Sequence, residues 1–258
     1  MSVLIVIPAR YASSRYPGKP LVKLKGRDGV SKTLIQRTWE TGCAVQAEAR
    51  VVVATDDQRI ADCVTGFGGE VVMTGEDCAN GTERCADAIA RMGASPDLVV
   101  NLQGDAPLTP AWFLDDLIDA MAANPGFGAA TPVLRCDKQA YAMLREDRAG
   151  GRVGGTTAVF GADGRALYFS KEVIPFLPDP DVAAPLVYHH VGVYAYRPDV
   201  LARYTHWPQG PLEKNEGLEQ LRFLENGEAM LCVEVDAKGR AFWELNNPVD
   251  VARIEAVL

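Results

Sequence analysis

The first part of the chain alternates short apolar runs with amphipathic stretches. The runs are rich in β-branched residues and lie between polar loops, which is typical of buried parallel strands; they cover residues 3–7, 50–54, 70–73 and 98–102. The intervening pattern predicts helices over residues 33–41, 58–67 and 82–92, with Ser31 and Asp56 as candidate caps of the first two. This alternation favours an α/β fold with a doubly wound, mostly parallel sheet. Ligands of such sheets bind beyond the carboxyl ends of the strands, so the loops after Ile7 and Leu102 are the first candidates for chemistry.

The second half of the chain has a different pattern. Gly, Pro and Asp separate short strand candidates over residues 152–160, 167–170, 191–196 and 230–235, and helices are predicted over residues 212–226 and 249–258. The sequence contains no internal repeat and no stretch with the composition of an interdomain linker. We therefore interpret residues 1–258 as a single domain, in which strands inserted at about 130–210 cover the site and form a small lid or dimerisation subdomain.

Composition narrows the class of protein. The chain has 258 residues, of which 48% are hydrophobic, enough to bury one sizeable core. Its formal net charge of -8 argues against a broad nucleic-acid surface, which needs a basic face. No apolar run reaches the roughly 20 residues that span a bilayer, the start does not resemble a secretory leader, and the cysteines lack metal-ligand spacing. We expect a cytoplasmic protein with reduced thiols and no membrane insertion.

The loop after the first predicted strand, residues 8–21, is rich in cations for an acidic protein. It carries Arg10, Arg15 and Lys19, together with two serines and several backbone N–H groups. Guanidinium forks, an ammonium and amide donors are the groups that hold a polyphosphate. The Walker A pattern GxxxxGK[ST] is absent, so the loop would be a phosphate site of another kind. The alternative is a basic loop that is merely solvated.

A second candidate follows the fourth predicted strand. Gln103-Gly104-Asp105 lies after residues 98–102, so its carboxylate is expected in the same crevice as the first loop. Mg²⁺ prefers one or two carboxylates together with substrate phosphates, which makes Asp105 a candidate magnesium ligand. Taken alone, Gly-Asp after a strand also fits an ordinary turn. Its coupling to a phosphate loop favours the metal site.

Seven segments spread over nearly the whole chain carry a family resemblance. They are IPARYASSRYPGKPL (from Ile7), VATDD (Val53), NGTER (Asn80), VNLQGD (Val100), ALYFSK (Ala166), HVGVYAYR (His190) and PLEKNEGLEQLR (Pro211). Together they resemble the 3-deoxy-manno-octulosonate (Kdo) cytidylyltransferases, also called CMP-Kdo synthetases. Sialic acid cytidylyltransferases share the general fold and chemistry but resemble this chain less.

The resemblance implies a Rossmann-like fold of the nucleotide-diphospho-sugar transferase type and the partners CTP and a sugar acid. The anomeric hydroxyl of a 2-keto sugar acid would attack the α-phosphate of CTP, with Mg²⁺ and cationic side chains neutralising charge. Arg10, Lys19 and Asp105 match the family's catalytic residues. Nucleotide contacts map to Pro8, Ala9, Arg10, Ser13, Arg15, Lys19, Asn80, Gly81, Thr82, Arg84 and Gln103; acceptor contacts to Gln103, Lys171, His190, Tyr194, Glu219 and Gln220; metal ligands to Asp105 and Asn246.

Three of these residues also have ordinary structural interpretations. His190 starts a predicted strand, where a surface position is equally compatible with the sequence. Tyr194 lies between apolar neighbours and fits the core. Glu219 lies three positions before Arg222 on the predicted helix 212–226, where the two side chains would form a solvated pair.

Four positions depart from the family's usual sequence. Ala106 stands where the family has Glu, Lys171 where it has Arg, and Thr157 where it has Lys; Asn246 replaces an Asp that supplies the second metal ligand. Lysine lacks the fork with which arginine clasps a carboxylate through two parallel bonds. We therefore hypothesise that the first three substitutions reshape the acceptor pocket for a sugar acid other than plain Kdo.

Three functions stay open from the sequence. The first is a CMP-sugar-acid synthetase, which the resemblance implies is a homodimer built through the strands of the second half. The second is a nucleotidyltransferase with another acceptor, such as a phosphonate or a sugar phosphate. The third is a nucleotide-binding regulator without activity, which the presence of Arg10, Lys19 and Asp105 disfavours.

Overall fold

The computed structural model describes residues 1–12, 16–153, 155–179, 185–240, 245 and 248–258. Within these ranges the strands are β1 (Val3–Ala9), β2 (Lys23–Lys25), β3 (Ser31–Thr33), β4 (Ala49–Thr55), β5 (Glu70–Met73), β6 (Leu98–Leu102), β7 (Ala129–Arg135), β8 (Thr156–Phe160), β9 (Ala166–Ser170), β10 (Tyr188–His190), β11 (Val193–Tyr196) and β12 (Met230–Glu234). The helices are α1 (Leu34–Cys43), α2 (Gln58–Gly66), α3 (Gly81–Met92), α4 (Ala111–Ala123), α5 (Lys138–Ala149), α6 (Pro198–Tyr204), α7 (Pro211–Glu216), α8 (Leu221–Glu225) and α9 (Asp250–Glu255).

The main sheet has a parallel half and a mainly antiparallel half. Strands β5, β4, β1 and β6 are parallel neighbours in that order. β11 pairs antiparallel with β6, the order continues through β7, β10, β8 and β9, and β12 adds in parallel to β7. β2 and β3 form a separate two-stranded antiparallel sheet. The predicted α/β class is confirmed, and the strands of the second half extend the same sheet.

Side chains of β1 show how the layers are built. Successive residues of a strand point to opposite faces, so Ile5 and Ile7 enter a core cluster shared with α1, α2 and α4. Leu4 and Val6 enter a second cluster, shared with α3, α6 and α8. All four are buried, and fully burying an aliphatic side chain stabilises the fold by about 1.5–3 kcal/mol. Helices on both faces therefore fix the position of β1 and of the loop that follows it.

The caps of two helices differ by a residue or two from the prediction. Thr33 rather than Ser31 caps α1, because the helix begins at Leu34 and the Thr33 side chain accepts a bond from the N–H of Gln36. Asp57 rather than Asp56 caps α2, because Asp56 forms an ion pair with Arg84. Both pairs of candidates can accept a capping bond, so the choice depends on tertiary contacts that the local sequence does not contain.

The single helix predicted over residues 212–226 is wrong. α7 ends at Glu216 and α8 begins at Leu221, and Gly217 between them adopts the left-handed conformation with a φ of 60°. Glycine adopts this conformation without the steric penalty that a Cβ imposes, and it commonly ends a helix there. The break turns residues 217–220 into a short linker, which forms part of the site.

Candidate active site

A cavity of about 430 Å³ opens beside the carboxyl ends of β1 and β6 and the N-terminal end of α3. Open α/β sheets bind their ligands in this position. The cavity has two walls, which we name the loop wall and the linker wall. The loop wall comprises Pro8, Ala9, Arg10, Lys19, Pro20, residues 78–81, Arg84 and residues 103–105; the linker wall comprises Tyr194 and residues 217–220.

Lys19 and Asp105 form an ion pair in the loop wall. Lys19 Nζ lies 2.7 Å from Asp105 Oδ2, and the two side chains are 13% and 27% exposed, so solvent screens this pair less than a surface pair. Arg10 lines the same wall and is exposed. The structure thus brings together two cations predicted to meet phosphate and one predicted metal ligand.

The loop that follows β1 is held from outside by Tyr11. The carbonyl of Tyr11 accepts a bond of 2.9 Å from the N–H of Gly18, whose φ is 71°. The Arg59 guanidinium lies 3.3 Å from the centroid of the Tyr11 ring and pairs with Asp57 at 2.6 Å. A cation–π contact and a helix cap therefore connect this loop to the start of α2.

Gly104 lets the loops after β1 and β6 approach each other. A Cβ at this position would lie 2.8 Å from the carbonyl oxygen of Pro8, closer than side-chain carbons approach backbone. On the other side, the carbonyl of Asp105 accepts a bond of 2.8 Å from the N–H of Leu245. Three predicted site residues, Ser13, Arg15 and Asn246, lie outside the described residues.

The N-terminus of α3 faces the cavity. Asn80 is the cap, and its Oδ1 accepts a bond of 2.8 Å from the N–H of Glu83. Asn80 and Gly81 line the cavity, whereas Thr82 is buried and its N–H donates to Glu219 Oε2 at 3.2 Å. Helix N-termini favour negative groups because their N–H groups and dipole point outward. The start of α3 therefore favours negative groups, and the Glu219 carboxyl already occupies part of it.

Arg84 lines the cavity, but protein groups already engage its guanidinium. The residue is 3% exposed and lies 2.8 Å from Asp56 Oδ2. It also donates to the carbonyl of Gly75 at 3.3 Å. Arg84 was predicted to contact the nucleotide. Its side chain already forms a buried ion pair, which connects α3 to the end of β4.

Glu219 lies in the linker between α7 and α8 and connects the two walls. Its Oε1 accepts a bond of 3.0 Å from Gln103 Nε2, and its Oε2 accepts the bond from Thr82. Burial raises the pKa of the Glu219 carboxyl above its usual value, against the opposing effect of these hydrogen bonds. The alternative of a solvated pair with Arg222 is wrong, because Arg222 is buried and pairs with Glu213.

Tyr194 and Gln220 form the buried part of the linker wall. The Tyr194 hydroxyl donates to Gln220 Oε1 at 3.2 Å, and the two residues are 3% and 1% exposed. Gln220 Nε2 is buried and has no hydrogen-bond partner in the part of the chain that the structure describes. Because a buried donor without a partner is costly, this amide marks a place where a ligand oxygen would be stabilised.

His190 lies behind Tyr194 and not in the cavity wall. Its Nε2 is 3.0 Å from Thr131 Oγ1, and its ring centroid is 5.6 Å from that of Tyr194. Burial lowers the pKa of His190 to about 3, with a further lowering from His189. The surface position considered from the sequence is therefore wrong, and any influence of His190 on the cavity passes through Tyr194.

The departures Lys171, Thr157 and Ala106 do not line the cavity. Lys171 adjoins the linker wall, because its Nζ is 3.0 Å from the point where a Cβ on Gly217 would lie. Thr157 is buried, and its hydroxyl donates to the carbonyl of Glu172 at 2.7 Å. Ala106 is buried as well. Of these three residues, Lys171 is therefore the one that lies next to the linker wall.

Six residues that line the cavity were not among the predicted site residues. They are Pro20, Cys78, Ala79, Gly104, Gly217 and Leu218. Each lies within two positions of a predicted site residue, so extending the predicted segments by two residues would have found all six. Gly217 carried a further signal, because a glycine inside a predicted helix often marks its end.

The described residues contain no group of three or more His, Cys, Asp and Glu side chains that would form a protein-only metal site. A single carboxylate such as Asp105 still suits Mg²⁺, which commonly completes its ligands with substrate phosphates and water. In the same described ranges, no helix is long and apolar enough to cross a bilayer.

Comparisons with known proteins decide the family. A family model described as Cytidylyltransferase matches residues 4–230. The chain belongs to this family. A cytidylyltransferase for 3-deoxy-manno-octulosonate from Maricaulis maris is 46% identical over 258 residues, covering 100% of this chain and 97% of the relative. The enzyme of the same name from Chlamydia pneumoniae is 42% identical over 251 residues, covering 97% and 91%.

Solved structures of cytidylyltransferases share the fold. The structure of CMP:2-keto-3-deoxy-manno-octonic acid synthetase complexed with CTP has a TM-score of 0.85 at 33% identity, covering 99% of this chain and 98% of that chain. A cytidylyltransferase from Leptospira borgpetersenii has a TM-score of 0.61 at 18% identity, which is a likeness of fold. The family inferred from the sequence segments is confirmed.

Proposed function

We propose that the chain transfers the cytidylyl group of CTP to Kdo, giving CMP-Kdo and pyrophosphate. The observation that carries this proposal is that family segments far apart in the sequence line one cavity, from Arg10 in the loop wall to Gln220 in the linker wall. In the reaction, the hydroxyl oxygen on the anomeric carbon of Kdo bonds to the α-phosphorus. The bond from that phosphorus to pyrophosphate breaks, and the hydroxyl proton is released. The protein contributes mainly positioning and charge stabilisation.

The loop wall is suited to bind CTP. Arg10 and Lys19 would neutralise the triphosphate, with an exposed fork and an ammonium that is already oriented by Asp105. The N-terminal end of α3, at Asn80 and Gly81, would add to the binding of the phosphates, because N–H groups at a helix N-terminus favour anions. Preorganisation by the ion pair means that little reorientation is needed when CTP binds.

Asp105 would hold Mg²⁺ together with phosphate oxygens of CTP. When bound, the ion would stabilise the negative charge that develops on the phosphates. The N–H of Leu245 bonds to the Asp105 carbonyl. Leu245, which precedes Asn246 in the sequence, thus contacts the backbone of Asp105. This supports Asn246 as a second ligand.

The linker wall is suited to bind the sugar acid. Gln220 Nε2 supplies a buried donor that an oxygen of Kdo would satisfy, and such a bond is worth about 1–3 kcal/mol when its loss leaves the donor unpaired. Tyr194 fixes this amide through its bond to Gln220 Oε1. The Lys171 ammonium beside Gly217 would attract the carboxylate as a point charge, without the two parallel bonds of an arginine.

A substrate panel tests the proposal. The purified protein is given CTP with Kdo, with an amino-Kdo or with a nine-carbon sugar acid; pyrophosphate release is followed, and chromatography identifies the nucleotide product. We expect release and CMP-Kdo with Kdo, and we expect Gln220→Leu to raise the KM for Kdo about 10-fold with little change in the KM for CTP. Turnover with another acid in preference to Kdo would instead support an altered acceptor acting through Lys171. Absence of release with every acid would reject a synthetase.

We also propose that the chain forms a homodimer through the end of the sheet that carries β9. Leu167 in β9, Phe176 after it and Leu186 before β10 are 63%, 87% and 55% exposed, and β9 ends the main strand order. Exposed apolar residues beside a sheet edge suit an interface with a second copy. We expect sedimentation velocity to give a dimer and Phe176→Glu to weaken it. A monomer at all concentrations would contradict this.

A further inference from the structure

A buried arginine outside the cavity connects its two walls. Arg222 in α8 is 3% exposed, and it holds Glu213 of α7 through two bonds, from Nε at 2.7 Å and from Nη2 at 2.8 Å. This fork joins the two helices that flank the linker, residues 217–220. Arginine suits the position because its planar group makes two parallel bonds to one carboxylate and has further donors for others.

A third bond from the same guanidinium reaches Glu83 of α3, which lies between loop-wall residues Gly81 and Arg84. Arg222 Nη1 donates to Glu83 Oε1 at 3.0 Å. Glu83 lies in the first turn of α3, where its N–H donates to the cap residue Asn80 and its Oε2 accepts from the N–H of Ala79. Arg222 therefore bonds to the residue around which the N-terminal turn of α3 is organised.

Tyr204 adds a second connection between the walls. The Arg222 guanidinium carbon lies 4.3 Å from the centroid of the Tyr204 ring, so the cation and the ring stack. The Tyr204 hydroxyl donates to the carbonyl of Glu219 at 3.2 Å and accepts from Asn80 Nδ2 at 3.2 Å. Tyr204 thus contacts one residue of each wall, and Arg222 packs on its face.

We propose that Arg222 is a positioning residue, which fixes the linker against the N-terminus of α3 and so sets the distance between the acceptor and the nucleotide. The inference rests on the proposed function for the identity of the two ligands. Arg222 does not line the cavity, and its effect would pass through Glu219 and Gln220. Misplacing a substrate by about 1 Å is enough to cost up to about 100-fold in rate.

The two walls should respond unequally when Arg222 is changed. α3 has its own buried contacts with the sheet, since Cys85 and Ala88 lie fully buried in its core cluster. The linker lies between α8, which Leu221 and Phe223 anchor in the same cluster, and α7, a six-residue helix whose one buried residue is Glu213, the partner of Arg222. An isolated helix of that length is not stable on its own, so α7 and the linker depend on this pair. Loss of Arg222 should therefore displace the linker more than α3.

Kinetics of Arg222→Lys provide the test, with Arg222→Gln as a second, stronger variant. Lysine keeps a charge and a bond to Glu213 but cannot hold Glu213 and Glu83 together as the guanidinium does. We expect the KM for Kdo to rise about 10-fold or more and the KM for CTP to change less than about threefold. The matched control is Arg203→Lys, since Arg203 also pairs with two carboxylates, Asp199 and Glu228, but is 50% exposed. We expect both KM values of the control to stay within about twofold of the parent protein.

Hydrogen exchange without substrates separates this inference from the proposed function. We expect amides of residues 217–225 to exchange faster in Arg222→Lys, while those of β1 and β6 keep their parent rates. If the parent protein does not use Kdo, the proposed function fails and the exchange result alone decides the inference. Unchanged exchange at 217–225, or equal increases of both KM values, would overturn it.

Discussion

The loop wall and the linker wall of the same cavity are built in different ways. The loop wall comes from residues near the ends of parallel strands and at the start of one helix, so the direction of the strands places the loops that carry Lys19 and Asp105 at the same edge of the sheet. The linker wall comes from a break between two short helices and from β11, and it depends on buried polar contacts such as that between Tyr194 and Gln220. A site of this kind thus combines one wall fixed by topology with another fixed by side-chain packing.

The difference also concerns charge. Arg10, Lys19 and Asp105 are charged side-chain types that retain access to solvent in the loop wall. Across from them, Glu219 is a carboxylate whose pKa is raised by burial, and His190 behind Tyr194 is a histidine whose pKa is lowered by burial. The loop wall is therefore suited to bind an anion, whereas the linker wall is held in shape by groups that resist becoming charged.

The largest effect that we predict falls on the loop wall. Asp105→Asn removes the proposed Mg²⁺ ligand and the partner of Lys19. Because a bound divalent cation contributes several kcal/mol of charge stabilisation in the transition state, we expect kcat to fall by about 100-fold or more. Steady-state kinetics at saturating Mg²⁺ and CTP measure this.

The matched control for that change is Asp163→Asn, which alters a carboxylate of the turn between β8 and β9 that is 63% exposed. Its kcat should match that of the parent protein. If Asp105→Asn retained more than about a third of kcat, the loop wall would not be the wall that stabilises charge.

A smaller effect is predicted behind the linker wall, on the free energy of unfolding at low pH. His190 is buried, and its pKa of about 3 in the folded chain lies below the ordinary value of 6.5. As pH falls below 6.5, the unfolded chain takes up this proton while the folded chain does not, so folding stability decreases. The decrease is about 1.4 kcal/mol per pH unit, or about 2 kcal/mol at pH 5.

His190→Gln should remove that contribution. We expect its free energy of unfolding to depend less on pH between 6.5 and 5 than that of the parent protein, with parallel curves above pH 7. His189, whose pKa burial lowers to about 4, remains in both proteins. Urea unfolding at each pH measures the slopes. Identical slopes below pH 6.5 would show that His190 becomes protonated without unfolding the region behind Tyr194.

The smallest effect concerns the outer support of the loop wall. Arg59→Gln removes the cation stacked on Tyr11 and the ion pair with Asp57, but the Arg59 side chain is 59% exposed. An exposed cation–π contact is weak, so we expect the KM for CTP to rise only about two- to fivefold. The KM for Kdo should change less, because Arg59 supports the loop wall, which is proposed to bind CTP, and not the linker wall.

Arg91→Gln is the control, because Arg91 forms an exposed pair with Asp87 on α3. Both KM values of this variant should stay at their parent values. An equal rise of both KM values in Arg59→Gln would indicate that the two walls are coupled through the loop after β1.

The same difference between walls explains how much the sequence revealed. The strands β1, β4, β5 and β6 were predicted because each is largely an apolar run, and most loop-wall residues lie in the segments that follow β1, β5 and β6. The resemblance then supplied Glu219, Gln220 and Tyr194. Their placement in the cavity wall depends on the fold, which brings β11 beside β6.

What the sequence could not provide has physical reasons. The break at Gly217 competes with an amphipathic pattern that continues across it, so periodicity alone predicts one helix over residues 212–226. Helices α4 and α5 were not predicted. α4 is mostly apolar, a composition that blurs helical periodicity, and α5 is largely polar, so neither gives a clear amphipathic signal. Arg222 is buried together with its partners Glu83 and Glu213. These two carboxylates are distant from each other in the sequence and come together only in the fold.

The contacts of the last residues have a consequence for synthesis of the chain. The N–H of Leu245 bonds to the Asp105 carbonyl, and the hairpin of β2 and β3 bonds to the region of α9 through Lys25 with Glu255 and Arg27 with Ala256. Because the ribosome makes the chain from its N-terminus, Asp105 and the hairpin of β2 and β3 are synthesised before Leu245 and α9. The loop that carries Asp105 therefore gains its final support only once translation has passed residue 245, so a nascent chain would not hold a completed cavity.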